Sequence, residues 1–183
     1  MPKPLFIKTS NIEKELCDIK TDLANFFKNA QKNKHDGLLL IFEDESLGNT
    51  LNNLSHFTHR FIFALSKIFP SVYVQNNPKK ESAWFPSIEG EIFFVVSFAP
   101  CYPKSSPRYT WGDPRTFVML QPGITFERNT VIIEKLRKSI QAKFQIEGRP
   151  YDSVIANLDN DMFKTVMPID PINEPILWWE KTE

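Results

Sequence analysis

The sequence predicts an α/β protein of a single domain, with a mixed or antiparallel central sheet packed with three main helices. Three observations carry this prediction. Three long segments, 11–33, 50–69 and 130–146, space their apolar residues by three and four, the period of a helix. Three apolar runs, 38–42, 91–98 and 116–120, have the length and composition of buried strands. Only a short link joins 84–88 to 91–98, which demands a hairpin and so an antiparallel pairing.

Taken in order, residues 1–9 carry two prolines and read as an extended lead-in. Ser10 or Asn11 caps the first helix, with Glu13 three residues after Ser10 as in a capping box. Its stripe is Ile12, Leu16, Ile19, Leu23, Phe26 and Phe27, and Lys28, Lys32 and Lys34 complement the dipole at its C-terminal end. Asp36-Gly37 turns the chain into Leu38-Leu39-Leu40-Ile41-Phe42, a run apolar on both faces, stopped by Glu43-Asp44-Glu45. The second helix runs through Leu51, Leu54, Phe57, Phe61, Leu65, Ile68 and Phe69, and Pro70 ends it. Val72-Tyr73-Val74 reads as a short strand, and 76–80 as a polar loop. Glu89-Gly90 is the hairpin turn before the strand 91–98, which Pro100 stops. Residues 100–114 hold four prolines and form a loop before the strand 116–120 and the turn Pro122-Gly123. The third helix uses Val131, Ile132, Leu136, Ile140 and Phe144, and the tail 147–183 is loop-rich.

Composition bounds function. The 183 residues suit one domain, 1–183, able to bury a core without crosslinks. Net charge is zero, so the basic excess of a nucleic-acid binder is missing and no nucleic-acid partner is expected. Cys17 and Cys101 are too far apart in sequence for a disulfide framework or a zinc motif. No apolar run reaches membrane-spanning length, and residues 1–10 lack the pattern of a signal peptide. The chain therefore reads as cytoplasmic, with no membrane partner. Phe accounts for sixteen residues; most should be core, and some could line an apolar pocket.

Candidate chemistry is sparse. No nucleophile elbow, phosphate loop, dinucleotide glycine motif or helical zinc motif is present. His35 lies in a charged turn and reads as solvent-facing. His56 and His59 are three apart and share a helix face, which suits a metal or haem iron, or simply a polar flank. Cys101 directly follows a central strand; it is a thiolate ligand for haem iron or a small buried thiol. Lys104, Arg108 and Arg115 are interleaved with Tyr102, Tyr109 and Trp111. Arginine among aromatics grips carboxylates bidentately, or the loop is merely solvated. Glu127-Arg128 reads as a cap on the turn into the third helix. Trp178-Trp179 suits a homodimer contact or packing back onto the domain.

The middle block carries a resemblance. Gly90-Glu91-Ile92-Phe93-Phe94-Val95-Val96, then Pro100, an arginine-bearing loop, Phe117-Val118-Met119-Leu120-Gln121-Pro122 and Phe126-Glu127 resemble the YqcI/YcgG family, over 84–128 and more thinly over 37–140. The best-understood branch of that family comprises haem-dependent N-oxygenases, among them the guanitoxin-pathway N-hydroxylase. The resemblance implies a haem-binding protein, a haem-dependent monooxygenase acting on a small nitrogenous substrate. Haem would then be held by His56 or His59 or by Cys101, with His59 and Cys101 as the candidate iron ligands and Arg108, Arg115 and Gln121 as further contacts. The sequence departs from the family where Ala99-Pro100 replaces His-Pro and Gln121-Pro122-Gly123 replaces Asn-Pro-His. Those departures imply the alternative, a divergent non-catalytic member that binds a small ligand or a protein partner. Under either reading the pocket is expected where strand 91–98 ends, beside the loop 99–115 and the turn 121–127, because ligands gather outside strand ends in α/β sheets.

Overall fold

The three runs read as strands meet in one sheet. In the computed structural model, residues 2–8, 11–70, 72, 86–128, 130–148, 162–170 and 173–180 are described. Strand β1 (Leu5–Ile7) lies at one edge; β2 is Leu38–Phe42, β3 Ser87–Ile88, β4 Glu91–Phe98 and β5 Thr116–Pro122. The five strands follow the order β1-β2-β5-β4-β3. Only β1 and β2 pair in parallel; the other three pairings are antiparallel, so the sheet is mixed. Glu89 and Gly90, at φ 53° and 80°, form the two-residue turn of the β3–β4 hairpin, a geometry that follows the natural twist of the strands.

Six helices are described: α1 (Ile12–Asp18), α2 (Lys20–Asn33), α3 (Leu51–Ile68), α4 (Ile124–Arg128), α5 (Thr130–Ile146) and α6 (Met162–Thr165). The helix expected over 11–33 is therefore two. Ile19 breaks it at φ −96°, ψ 8°, yet Ile19 N–H still donates to Glu15 O and Leu23 N–H to Ile19 O. The apolar stripe therefore runs across the joint, and the joint is invisible to periodicity. Asn11, not Ser10, is the cap we see: its side chain accepts from Lys14 N–H. Thr50 caps α3 by accepting from Asn53 N–H.

Three elements were not legible. Residues 5–7 of the lead-in are β1, because the carbonyl of Ile7 and the rest of the edge gain their order from β2 rather than from local propensity. Residues 124–128 form a turn of helix, whose Ile124 N–H donates to Glu91 Oε1 at 2.9 Å. The tail supplies α6. Val72 is not in a strand; 73–85, including the polar loop 76–80, lie outside the described residues, as do Met1, Thr9 and Ser10.

The sheet has two unlike faces. Leu38, Leu40, Phe42, Phe93, Val95, Val118 and Leu120 are buried and belong to the core. Phe42 packs edge-on to Phe57 and Phe61, at 4.6 and 5.7 Å, so α3 covers this face. Phe27 meets Phe93 at 5.1 Å, which brings α2 to the same face. The opposite face carries Leu39, Ile41, Phe94, Val96, Phe98, Phe117, Met119 and Gln121, most of them only half-buried. Among the described residues, no helix is long and apolar enough to cross a membrane.

Candidate functional site

The carboxyl ends of β1, β2 and β4 and the start of β5 lie at one end of the sheet, because Phe42 pairs with Thr116 and Phe98 with Phe117. The loop 99–115 is built onto this end. Gly48 is wedged beneath it: a Cβ there would stand 2.2 Å from Thr116 Oγ1 and 2.9 Å from Ala99 Cβ. The close approach lets the Cys101 N–H donate to Gly48 O at 3.0 Å. Cys101 is half-buried, and burial raises its thiol pKa to about 11, so the sulfur is protonated near neutrality.

The two arginines of the loop stand over rings. The Arg108 guanidinium lies 5.5 Å from the centroid of Phe98, and that of Arg115 lies 5.7 Å from Phe117. Their hydrogen bonds differ in kind. Arg108 donates to two neutral carbonyls, Ser97 O at 3.4 Å and Lys164 O at 2.8 Å, and so ties the C-terminal end of β4 to α6. Arg115 donates from Nε and Nη2 to the two oxygens of Asp113, at 2.9 and 2.6 Å. That hydrogen bonding holds the Asp113 carboxyl below the usual carboxylate range and raises Arg115. Glu43, at the end of β2, adds to the field on Arg115.

The remaining aromatics divide sharply. Tyr102 is buried, its hydroxyl donating to Met167 O at 2.9 Å and accepting from Met167 N–H at 3.0 Å. Trp111 is 74% exposed at the tip of the loop, with φ 54°, and Tyr109 stands 6.1 Å away. Trp178 and Trp179 are buried. Trp178 Nε1–H donates to Met162 O, and Trp179 packs on Phe163. Of the two readings of this pair, packing back onto the domain is the one observed: both indoles are core.

The other site candidates do not converge. Gln121 pairs with Phe94, four residues along the strands from the Phe98–Phe117 pair, which is about 14 Å at roughly 3.4 Å per residue. The turn 121–127 thus lies at the opposite end of the sheet from the loop 99–115, and the single pocket expected beside both is corrected. His56 is exposed, while His59 is half-buried with its ring 4.3 Å from Phe63. Both belong to α3, on the Phe42 face of the sheet. Phe98 and Phe117 alternate with the buried Ser97, Thr116 and Val118, so Arg108 and Arg115 stand over the other face. His35, expected in solvent, is half-buried and stacks on Phe26 at 5.9 Å.

This separation decides how well haem fits. A single haem cannot take an imidazole from α3 and the two arginines together, because the sheet lies between them and packed layers stand ~10 Å apart. Cys101 sits on the same loop as the arginines, half-buried, with its N–H donating to Gly48 O, and not beside the histidines of α3. The residues proposed for haem therefore do not form one haem site. Among the described residues, no cluster of three or more histidines, cysteines or carboxylates is placed to hold a metal ion. Compared with known proteins, the chain matches no family model, no curated protein and no solved structure.

Proposed function

We propose that this chain is a non-catalytic binding protein for a small organic anion with a flat apolar body, held on the half-exposed sheet face beneath the loop 99–115. One observation carries the reading. Phe98 and Phe117 are direct cross-strand partners, and Arg108 and Arg115 are laid over them. Cross-strand neighbours sit about 5 Å apart, so the two cations converge on one apolar floor. Met119 and Val96 extend that floor along the strands. Such a surface offers dispersion to a ring and charge-assisted hydrogen bonds to an anionic head.

A fluorescence titration with 8-anilinonaphthalene-1-sulfonate tests it. Binding of one probe per chain is expected, weakened about tenfold in Arg115→Gln, since a hydrogen bond to a charged group is worth roughly that factor, and weakened also in Phe117→Ala, which removes the ring that the apolar body of the probe rests on. Equal affinity in the parent and both variants would remove the reading. A haem-dependent monooxygenase acting on a small nitrogenous substrate is the other reading, and it rests on the resemblance alone.

A further inference from the structure

The loop already carries a carboxylate where a ligand's head group would go. We propose that Asp113 is a displaceable internal occupant of the anion site, which tunes its affinity and selects ligands with a two-oxygen head, a carboxylate above all. This rests on the reading of the open sheet face as an organic-anion site.

The geometry of Asp113 is that of a bound carboxylate. Its two oxygens take Nε and Nη2 of Arg115 side by side, the planar arrangement in which a guanidinium receives any carboxylate. The turn that presents it does not depend on this pairing. Thr110 Oγ1 donates to Asp113 O at 2.7 Å, and Asp113 N–H donates to Thr110 O at 3.1 Å. Both bonds use the main chain of Asp113, so they persist when its side chain leaves Arg115, which also releases the Arg115 main-chain N–H from which Oδ1 accepts at 3.0 Å.

The pairing is also weak enough to exchange. The side chains of Arg115 and Asp113 are 35% and 29% exposed, so water competes for both. An incoming carboxylate replaces one ion pair by another of the same geometry and adds contact with the Phe117 ring. An alcohol or an ammonium group has no such exchange to make. The same turn displays Trp111 in a left-handed conformation that L-residues seldom adopt. The exposed indole has the Tyr109 ring beside it at 6.1 Å.

Calorimetric titration of the full chain with 2-naphthoate tests the proposal. Asp113→Asn and Asp113→Ala should each bind about two- to fivefold more tightly than the parent, as expected for removing an exposed ion-pair competitor. Adding Arg115→Gln should abolish the gain. Unchanged or weaker binding in both Asp113 variants, with Phe117→Ala still weakening the parent, would overturn the role of Asp113 and leave the anion site standing. Naphthoate binding that Phe117→Ala and Arg115→Gln leave untouched would overturn both.

Discussion

Phe98 and Phe117 face each other across neighbouring strands, and a single loop lays one arginine over each ring. The two arginines then diverge. Arg108 reaches backbone carbonyls and fastens the fold; Arg115 reaches a carboxylate and leaves the fold largely independent of it. Mutations at the two positions should therefore separate stability from binding.

Arg108→Ala is expected to destabilise the protein by about 2 kcal/mol, because the carbonyls of Ser97 and Lys164 lose a charged donor in a partly buried setting. Arg108→Lys should restore less than half, since one ammonium cannot span two carbonyls as a guanidinium fork does. Urea denaturation measures both. An alanine variant within ~0.5 kcal/mol of the parent, the range of an ordinary surface change, would show that the tie is unimportant.

Gly48→Ala should cost roughly 1–3 kcal/mol, the usual range for overpacking. The added Cβ would meet Thr116 Oγ1 at 2.2 Å and Ala99 Cβ at 2.9 Å, and neither neighbour is the far end of a flexible side chain. Thermal unfolding reads the loss, and the Cys101–Gly48 backbone bond should loosen with it, visible as faster amide exchange at Cys101. A variant as stable as the parent would mean that the loop shifts at no cost.

The contrast between these two positions shows what the sequence makes legible. The strands at 38–42, 91–98 and 116–120 and the helix at 51–68 follow from periodicity, since each buries a continuous stripe, and the helix at 130–146 follows from its three- and four-residue spacing. β1 does not, because three residues beside prolines have no pattern of their own and are ordered by pairing with β2. Within the site, Arg108 and Arg115 stand out in sequence as cations among aromatics. Their partners do not: Phe98 and Phe117 are nineteen residues and a loop apart until register sets them opposite. Periodicity also cannot say which face of a sheet a helix covers, and so the histidines of α3 and the arginines of the loop could be joined in one site on paper. The tail is the plainest case, for Trp178 becomes a core residue through a bond to Met162, sixteen residues away.

The thiols should differ in reactivity. Cys17 is exposed and Cys101 half-buried. Burial raises the Cys101 pKa from 9.0 to about 11, which keeps it the neutral thiol over the whole range below that value. At pH 8, iodoacetamide should therefore modify Cys17 first, and the rate at Cys101 should climb as the pH approaches 11, because the thiolate is the nucleophile. Peptide mass mapping over time at pH 8 and pH 10 distinguishes the two. Cys101 labelling as fast as Cys17 at pH 8 would mean that the loop opens readily or that the thiol is activated.

Hemin titration tests the separation of the two faces directly. α3 lies on the Phe42 side through Phe57 and Phe61, whereas Arg108 and Arg115 stand over the Phe98–Phe117 side. Because the sheet lies between them, one molecule cannot at once take the His59 imidazole as a ligand and form salt bridges to both arginines. Hemin should accordingly give no saturable one-to-one Soret shift that depends on these residues. Arginine-dependent association without iron ligation is the expected weaker behaviour: hemin carries carboxylates and a flat apolar body, so it should compete with 8-anilinonaphthalene-1-sulfonate in the parent and less well in Arg115→Gln. A Soret shift saturating at one hemin per chain, and abolished by His59→Ala or Cys101→Ala, would instead show that one of these side chains reaches the iron and that the anion-binding reading is incomplete.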